Sequence, residues 1–420
     1  MTETVRGMKE RPRIAVFGNF GAGNLGNECT LYALLQNLRD RMPKASFLCI
    51  CSGPEEIAAA HHVAAFPIRQ GRLPRAGNFF LRALAKVLCA IPLEVYRWWK
   101  VISIIKGSDM LLMTGTGMLS DVGITPFGLH YDILRWSAAA RLCRCKLLFV
   151  SVGAGPIRRP LSRRIVKTAL ALANYRSYRD QFSRDYMESI HFKRAGDEVY
   201  PDLAFSLPRN PGLAKTRRPD RRSVVGLGVI THSRRRATAE NDPSIYRRYI
   251  ERLADFAAWL LEQNHTVRLL IGDVAYDGPA RADLRRILES RGWTGGEAEL
   301  IDKPAQSFEM LLAQLAQTDI VVASRFHNVL LAVLLNKPVV AISFHEKVDA
   351  LMSAAGLESF CLDIENVDVD RLKQQFTDAE ENANELKLKL ERTTENYRRS
   401  LDRQYTAIVR MAGSRELVPA

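Results

Sequence analysis

Gly18-Asn-Phe-Gly-Ala-Gly-Asn-Leu-Gly-Asn-Glu28 is the stretch on which the fold class turns. Arg13-Ile-Ala-Val-Phe17 ahead of it is a short apolar run of strand type, and Leu25 to Leu38 behind it carries helical spacing, so the stretch is the loop of a strand-loop-helix unit. Inside it, Gly21-Ala-Gly23-Asn-Leu-Gly26 has the form of a dinucleotide fingerprint. The rest of the unit departs from that fingerprint. In the dinucleotide fold a glycine ends the first strand and a carboxylate closes the second about 20 residues on, where it takes the ribose hydroxyls. Here the second strand, Ser46-Phe-Leu-Cys-Ile-Cys51, runs into Ser52-Gly53 with no acid, and Glu55 and Glu56 follow Pro54 as the first turn of the next helix. Asn19, Asn24 and Asn27 would crowd a pyrophosphate but suit a sugar or a small anion.

Outward from this loop, strand and helix patterns alternate. Asp109 to Thr114 and Lys146 to Val152 read as buried strands with a helix near His130 to Arg141 between them, and Tyr175 to Asp180 and Glu198 to Phe205 as short strands near a sheet edge. The pattern fails at Pro208, Asn210, Pro211, Gly212 and Pro219, which read as a linker. A second series follows: Ser223 to Ile230, a helix from Ser244 to Glu262, His265 to Ile271, a helix near Pro279 to Ser290, Asp319 to Ala323, a helix from Arg325 to Leu335, and Pro338 to Ser343. Such alternation means parallel sheets with helices on both faces. The expectation is α/β with two Rossmann-like doubly wound domains facing a cleft, at 1–207 and 223–365, joined by a linker at 208–222. From Val369 the spacing of Leu372, Phe376, Leu386, Leu390, Tyr397, Leu401, Tyr405 and Ile408 predicts a long helical tail over 366–420 that packs along the body.

With 420 residues, 47% hydrophobic and 25% charged, the chain has room for two cores and is not of disordered composition. Its first ten residues have no apolar core and its seven cysteines form no C-x-x-C pair, which points to a cytoplasmic protein with reduced thiols and no metal site. The net charge of +14 is concentrated in runs such as Arg217 to Arg222 and Arg234-Arg-Arg236, without a nucleic-acid-binding motif; it suits anionic substrates or an anionic membrane face. Phe79 to Ile105, with Trp98, Trp99 and Lys100, is interrupted by five charged residues and Pro92, so it lacks the run of about 20 apolar residues a membrane span needs. Two readings stay open for it: core-packing helix, or a surface whose aromatic and basic residues meet lipid headgroups.

Chemistry concentrates where ligands of doubly wound sheets sit, beyond the carboxyl ends of strands. Ala323-Ser-Arg-Phe-His327 ends one strand and starts a helix. Ser324 is suited to cap that helix, placing Arg325 and His327 in a first turn whose backbone N–H groups and dipole favour an anion. A guanidinium grips phosphate oxygens and an imidazole moves a proton near neutral pH; a capped helix with a solvated first turn is the plainer alternative. His345 and Lys347 follow the next strand. Gly115 and Gly117 form a turn before Asp121, and Arg179, Asp180 and Asp202 lie beyond later strands.

Asn24-Leu-Gly26 with Glu28, Gly115-Thr-Gly117 with Asp121, Arg179-Asp180, Pro201-Asp202, and Ser324-Arg-Phe-His327 through Pro338-Val-Val-Ala-Ile-Ser343 to Lys347 together resemble the polysaccharide pyruvyl transferase family, from about Ile14 to Gly356. The family often has aspartate where this chain has Asn27, leaving Glu28 as the acid of that loop. The resemblance implies a glycosyltransferase-B-like fold and transfer of a pyruvyl group from phosphoenolpyruvate to two sugar hydroxyls, with no redox cofactor or metal. On that basis Arg325, Ser324, His345 and Lys347 are expected around the donor, Arg179 on its carboxylate, His327 as proton donor and Asp121 as base. Asn24, Gly26, Asn27, Glu28, Gly115 and Gly117 are expected to line the loops by the acceptor. That acceptor is expected to be a lipid-linked oligosaccharide or polysaccharide precursor at the inner face of the plasma membrane, with peripheral membrane contact. The alternatives are a nucleotide-sugar-dependent glycosyltransferase of the same fold and a non-catalytic sugar-binding homologue.

Overall fold

A computed structural model describes residues 11–71, 79–115, 117–121, 123–209, 222–231, 243–293 and 299–413, with backbone only for 79–89 and 243. Residues 210–221 of the expected linker and the Arg234 to Arg236 cluster lie outside the described residues, as does Thr116.

The chain forms two compact units. The first holds a seven-stranded sheet in which all described pairs are parallel: β1 (Arg13–Phe17), β2 (Ser46–Cys51), β3 (Ala64–Pro67), β4 (Met110–Thr114), β5 (Lys146–Val152), β6 (Tyr175–Tyr178) and β7 (Glu198–Val199), in the order β3-β2-β1-β4-β5-β6-β7. The second holds a six-stranded parallel sheet: β8 (Val224–Gly228), β9 (Thr266–Leu270), β10 (Leu300–Ile301), β11 (Ile320–Ala323), β12 (Val339–Ser343) and β13 (Cys361–Asp363), in the order β10-β9-β8-β11-β12-β13. Both orders reverse once, between β1 and β4 and between β8 and β11. In doubly wound sheets, ligands bind beyond the carboxyl ends of the strands at such a reversal.

The central strands are continuous apolar runs because helices cover both faces: every residue of β4, β5, β8, β11 and β12 is buried. Each fully buried leucine, isoleucine or phenylalanine contributes about 1.5–3 kcal/mol. In the second sheet the helix Phe326–Leu334 is buried along its whole length, which draws its first turn, His327 included, into the interior.

Units and chain order do not coincide. The first unit takes residues 1–22, 35–202 and 403–420; the second takes 23–34 and 203–402. The helix Leu25–Arg41 therefore passes from the second unit to the first. The tail is helical as expected, a shorter helix, Val369–Glu381, followed after Asn382 by the long helix Ala383–Gly413. Asp368 caps the first of them, and Leu372, Phe376, Leu390, Leu401, Tyr405 and Ile408 are buried as their spacing predicts. Of the stretch Glu198 to Phe205, expected as strand, Glu198–Val199 forms β7, while Leu203–Ser206 is a single 3-10 turn.

Candidate functional site

The glycine loop is built around a side chain of the second unit. Asn24 caps the helix Leu25–Arg41: its Oδ1 accepts the Asn27 amide at 3.2 Å, while its Nδ2 donates to Asp273 Oδ2 at 3.1 Å. The Leu25 amide donates to the Gly272 carbonyl at 3.1 Å and the Val274 amide to the Gly23 carbonyl at 2.9 Å, so the turn is laced to the loop that follows β9. Gly26 lies against the His327 imidazole so closely that a Cβ there would fall onto Nδ1 and Cγ of the ring. This is why glycine stands at the third fingerprint position: it admits an imidazole. Gly21 is used differently, since its backbone and that of Gly53 approach too closely for a side chain on either residue.

At the reversal of the second sheet, the helix opens at Phe326 with Arg325 as its cap residue, one position later than expected. Ser324 does not cap it; its hydroxyl is 2.9 Å from that of buried Tyr249, whose pKa burial pushes up. Arg325 lays Nε and Nη2 against the carboxylate of Asp277, at 2.5–3.0 Å, and Asp277 is fully buried. His327 is buried, its ring edge-on to Phe326 at 5.1 Å. Lys347 holds its ammonium over the rings of Phe344 and Phe326, at 5.1 and 5.7 Å, and His345 caps the helix Glu346–Ala354 with Nδ1 accepting the Lys347 amide. The second unit thus gathers Asn24, Gly26, Ser324, Arg325, His327 and Lys347 around one helix start, with Asn27 and Glu28 in the first turn of the neighbouring helix.

In the first unit, Gly115 and Gly117 follow β4 at the reversal of that sheet. Arg179 directly follows β6, buried, with Nε donating to Asp180 at 3.2 Å and Nη1 3.7 Å from Asp202. The lack of a side chain at Gly153 is what makes room for its Nη2. Asp180 also caps the helix Gln181–Ser189. Asp121 Oδ2 accepts the amides of Arg158 and Arg159 at 2.7 and 2.9 Å, anchoring the approach to the helix Pro160–Ala171.

Sequence reasoning passed over Tyr249, Asp273, Asp277 and His130. His130 is buried, with Nε2 3.0 Å from the Ser120 carbonyl; burial pushes its pKa down, so the neutral ring donates there. For Asp273 and Asp277 the available signal was Gly272-Asp-Val-Ala-Tyr-Asp-Gly278, which follows a strand just as Ser324 to His327 does. Burial pushes the Asp273 pKa up. Among the described residues no cluster of three or more histidine, cysteine or acidic side chains is placed to hold a metal ion.

Solved structures similar over nearly the whole chain have the same fold. They include UDP-GlcNAc 2-epimerase from Neisseria meningitidis bound to UDP-GlcNAc (10% identity, TM-score 0.57, 96% of this chain and 99% of that one). A glycosyltransferase from Rickettsia africae ESF-5 is alike to the same degree (9% identity, TM-score 0.57, 96% and 98%). At such identities the likeness establishes a glycosyltransferase-B-like fold and nothing about substrates. No curated protein sequence matches the chain. The family model for polysaccharide pyruvyl transferase matches residues 24–346, from the cap of the first helix to just past the His345 cap. With that match over most of its length, the chain belongs to the polysaccharide pyruvyl transferase family and is a transferase.

Proposed function

We propose that the protein transfers the pyruvyl group of phosphoenolpyruvate onto two hydroxyls of a sugar in an envelope or exopolysaccharide precursor, forming a ketal and releasing phosphate. The observation that carries this reading is the junction of Arg325, His327 and a helix N-terminus at the reversal of the second sheet, within the span of the family match. The donor's phosphate needs fixed cationic and amide donors, and its methylene carbon must gain a proton before a sugar hydroxyl attacks the adjacent carbon. Arg325 and the helix start take the phosphate; His327 delivers the proton. In the first unit, Arg179 is our assignment for a substrate carboxylate and Asp121 for the base on an acceptor hydroxyl. Incubation with phosphoenolpyruvate and lipid-linked oligosaccharides is expected to release phosphate and add the mass of a pyruvyl ketal. Absence of both across a broad acceptor panel, with stabilisation by a UDP-sugar, would favour glycosyl transfer instead.

Arg325→Lys is expected to lower kcat/KM for phosphoenolpyruvate by roughly 100-fold or more, because an ammonium cannot hold Asp277 with one edge and a ligand with another. Steady-state kinetics with the donor varied checks this; parental kinetics in the lysine variant would remove Arg325 from the donor site.

We propose further that the helix Phe79–Ile105 docks the enzyme on an anionic membrane face, where lipid-linked acceptors are presented. No helix among the described residues is long and apolar enough to cross a membrane. Ile91, Val95 and Trp99, spaced by four, are 76%, 64% and 59% exposed, with Tyr96 beside them and the Lys100 ammonium 5.1 Å from the Trp99 ring. Such a stripe suits the interface between headgroups and acyl chains, each basic residue adding about 1 kcal/mol near an anionic surface. Flotation with phosphatidylglycerol liposomes is expected at low salt, weakened at high salt and lost in Ile91→Ser/Trp99→Ser; a protein that stays in the soluble fraction at low salt counts against the surface.

A further inference from the structure

Asp277 has no role in the proposed chemistry, yet it is heavily bonded beside it. It is completely buried, and its Oδ2 accepts the amides of Gly272 and Asp273 at 3.1 and 3.0 Å. Its Oδ1 accepts Arg325 Nη2 at 2.5 Å, and Arg325 Nε reaches both oxygens, at 3.0 and 2.9 Å. Those two nitrogens form one edge of the planar guanidinium. The other edge, Nη1 with the second hydrogen of Nη2, has no protein partner among the described residues and retains the spacing that suits two oxygens of one anion. Without a fixed acceptor on the first edge, an arginine side chain swings through many rotamers, and a two-point grip has to order it first.

The same loop fixes the parts around Arg325. Gly272 and Asp273, whose amides Asp277 collects, are the residues that bond Leu25 and Asn24. The Arg325 side chain also packs where a Cβ on Gly272 would stand, 3.1 Å from Arg325 Cγ. One carboxylate therefore sets the guanidinium and the loop that holds the glycine turn.

Building on the donor assignment above, we propose that Asp277 is the positioning residue of Arg325: it holds the guanidinium by its Nε–Nη2 edge so that the Nη1–Nη2 edge meets two oxygens of the donor's phosphate. The carboxylate touches no substrate; besides bracing its own loop, it acts on the donor through Arg325.

The test is a cycle of Asp277→Asn, Asp277→Glu, Arg325→Ala and Asp277→Asn/Arg325→Ala in the full chain. Binding of phosphoenolpyruvate and of inorganic phosphate is followed by calorimetry, and turnover with the donor and acceptor varied in turn. Asp277→Asn is expected to raise the donor KM and weaken phosphate binding by about ten-fold or more, with the acceptor KM unchanged, and to add nothing once Arg325 is alanine. Asp277→Glu keeps the charge but shifts the carboxylate by one methylene, and is expected to act in the same direction. Parental donor binding in both Asp277 variants, with loss in Arg325→Ala, overturns the positioning role and leaves the donor assignment standing. Equal binding by parent and Arg325→Ala removes both. A loss that multiplies with Arg325→Ala, or failure of both Asp277 variants to fold, assigns Asp277 to the fold and overturns the proposal.

Discussion

Replacing His327 with alanine is expected to lower pyruvyl transfer by roughly 10²- to 10⁴-fold, the usual contribution of a positioned acid to a proton-dependent step. A polar residue in a first helical turn would ordinarily leave with little effect on stability. This one is different, because its ring is buried, stands edge-on to Phe326 and fills the space that Gly26 leaves open. Alanine at 327 therefore also creates a small cavity, expected to cost about 1–3 kcal/mol. Rapid-quench measurement of phosphate release separates the two effects, since a well-folded variant with slow chemistry still binds phosphoenolpyruvate. Activity close to the parent's would take the proton transfer away from His327.

The complementary change is Gly26→Ala. A single methyl group there overlaps the imidazole, and Gly26 sits in the first turn of a helix tied by Leu25 and Asn24 to the loop after β9, so it cannot retreat freely. Either the helix start or the imidazole must move. Overpacking of this kind costs about 1–3 kcal/mol, and a displacement of about 1 Å in a catalytic group lowers rates on the order of 100-fold. The expected result is a folded protein with a modestly lower Tm and kcat reduced by roughly that factor, read by thermal unfolding beside steady-state kinetics. If His327→Ala/Gly26→Ala is no slower than His327→Ala alone, the methyl acts through the ring; a further multiplicative loss would mean that Gly26 serves the substrate directly.

How much of this is legible in the sequence depends on the element. β1, β2 and β5 cover the stretches expected from sequence, because each is a mainly apolar run whose later residues are buried between helices. β10 and β13, two and three residues long at the edges of their sheet, leave no periodicity to read. Ser324 has the chemistry of a cap, but Tyr249, 75 positions earlier in the chain, takes its hydroxyl, and local propensity carries no record of such a partner. The candidate site residues after β11 and β12 are legible because they directly follow a strand. Asp273 and Asp277 likewise come after β9, but acids in a glycine-bounded turn are so commonly turn formers that their type alone does not mark them. The reason for Gly26 was also hidden: sequence shows that a glycine is there, while the imidazole that requires it lies about 300 positions on, a proximity only the fold produces.

The division of the chain into interleaved units bears on how such an enzyme can be taken apart. Residues 23–34 belong with the second sheet although 168 residues of the first unit, 35–202, follow them before that sheet begins. A gene fragment starting at 203 would encode every strand of the second unit and would still lack the Asn24 side chain and Leu25 amide that bond Asp273 and Gly272, and the Gly26 backbone that lies against His327. It would be an acid-and-arginine loop with its keystone left upstream in the same chain. Exchange of carboxyl halves between relatives, by recombination or by an engineer's scissors, therefore has to carry a dozen residues from near the amino end along with them, or the helix start at Phe326 arrives without the turn that fits against it.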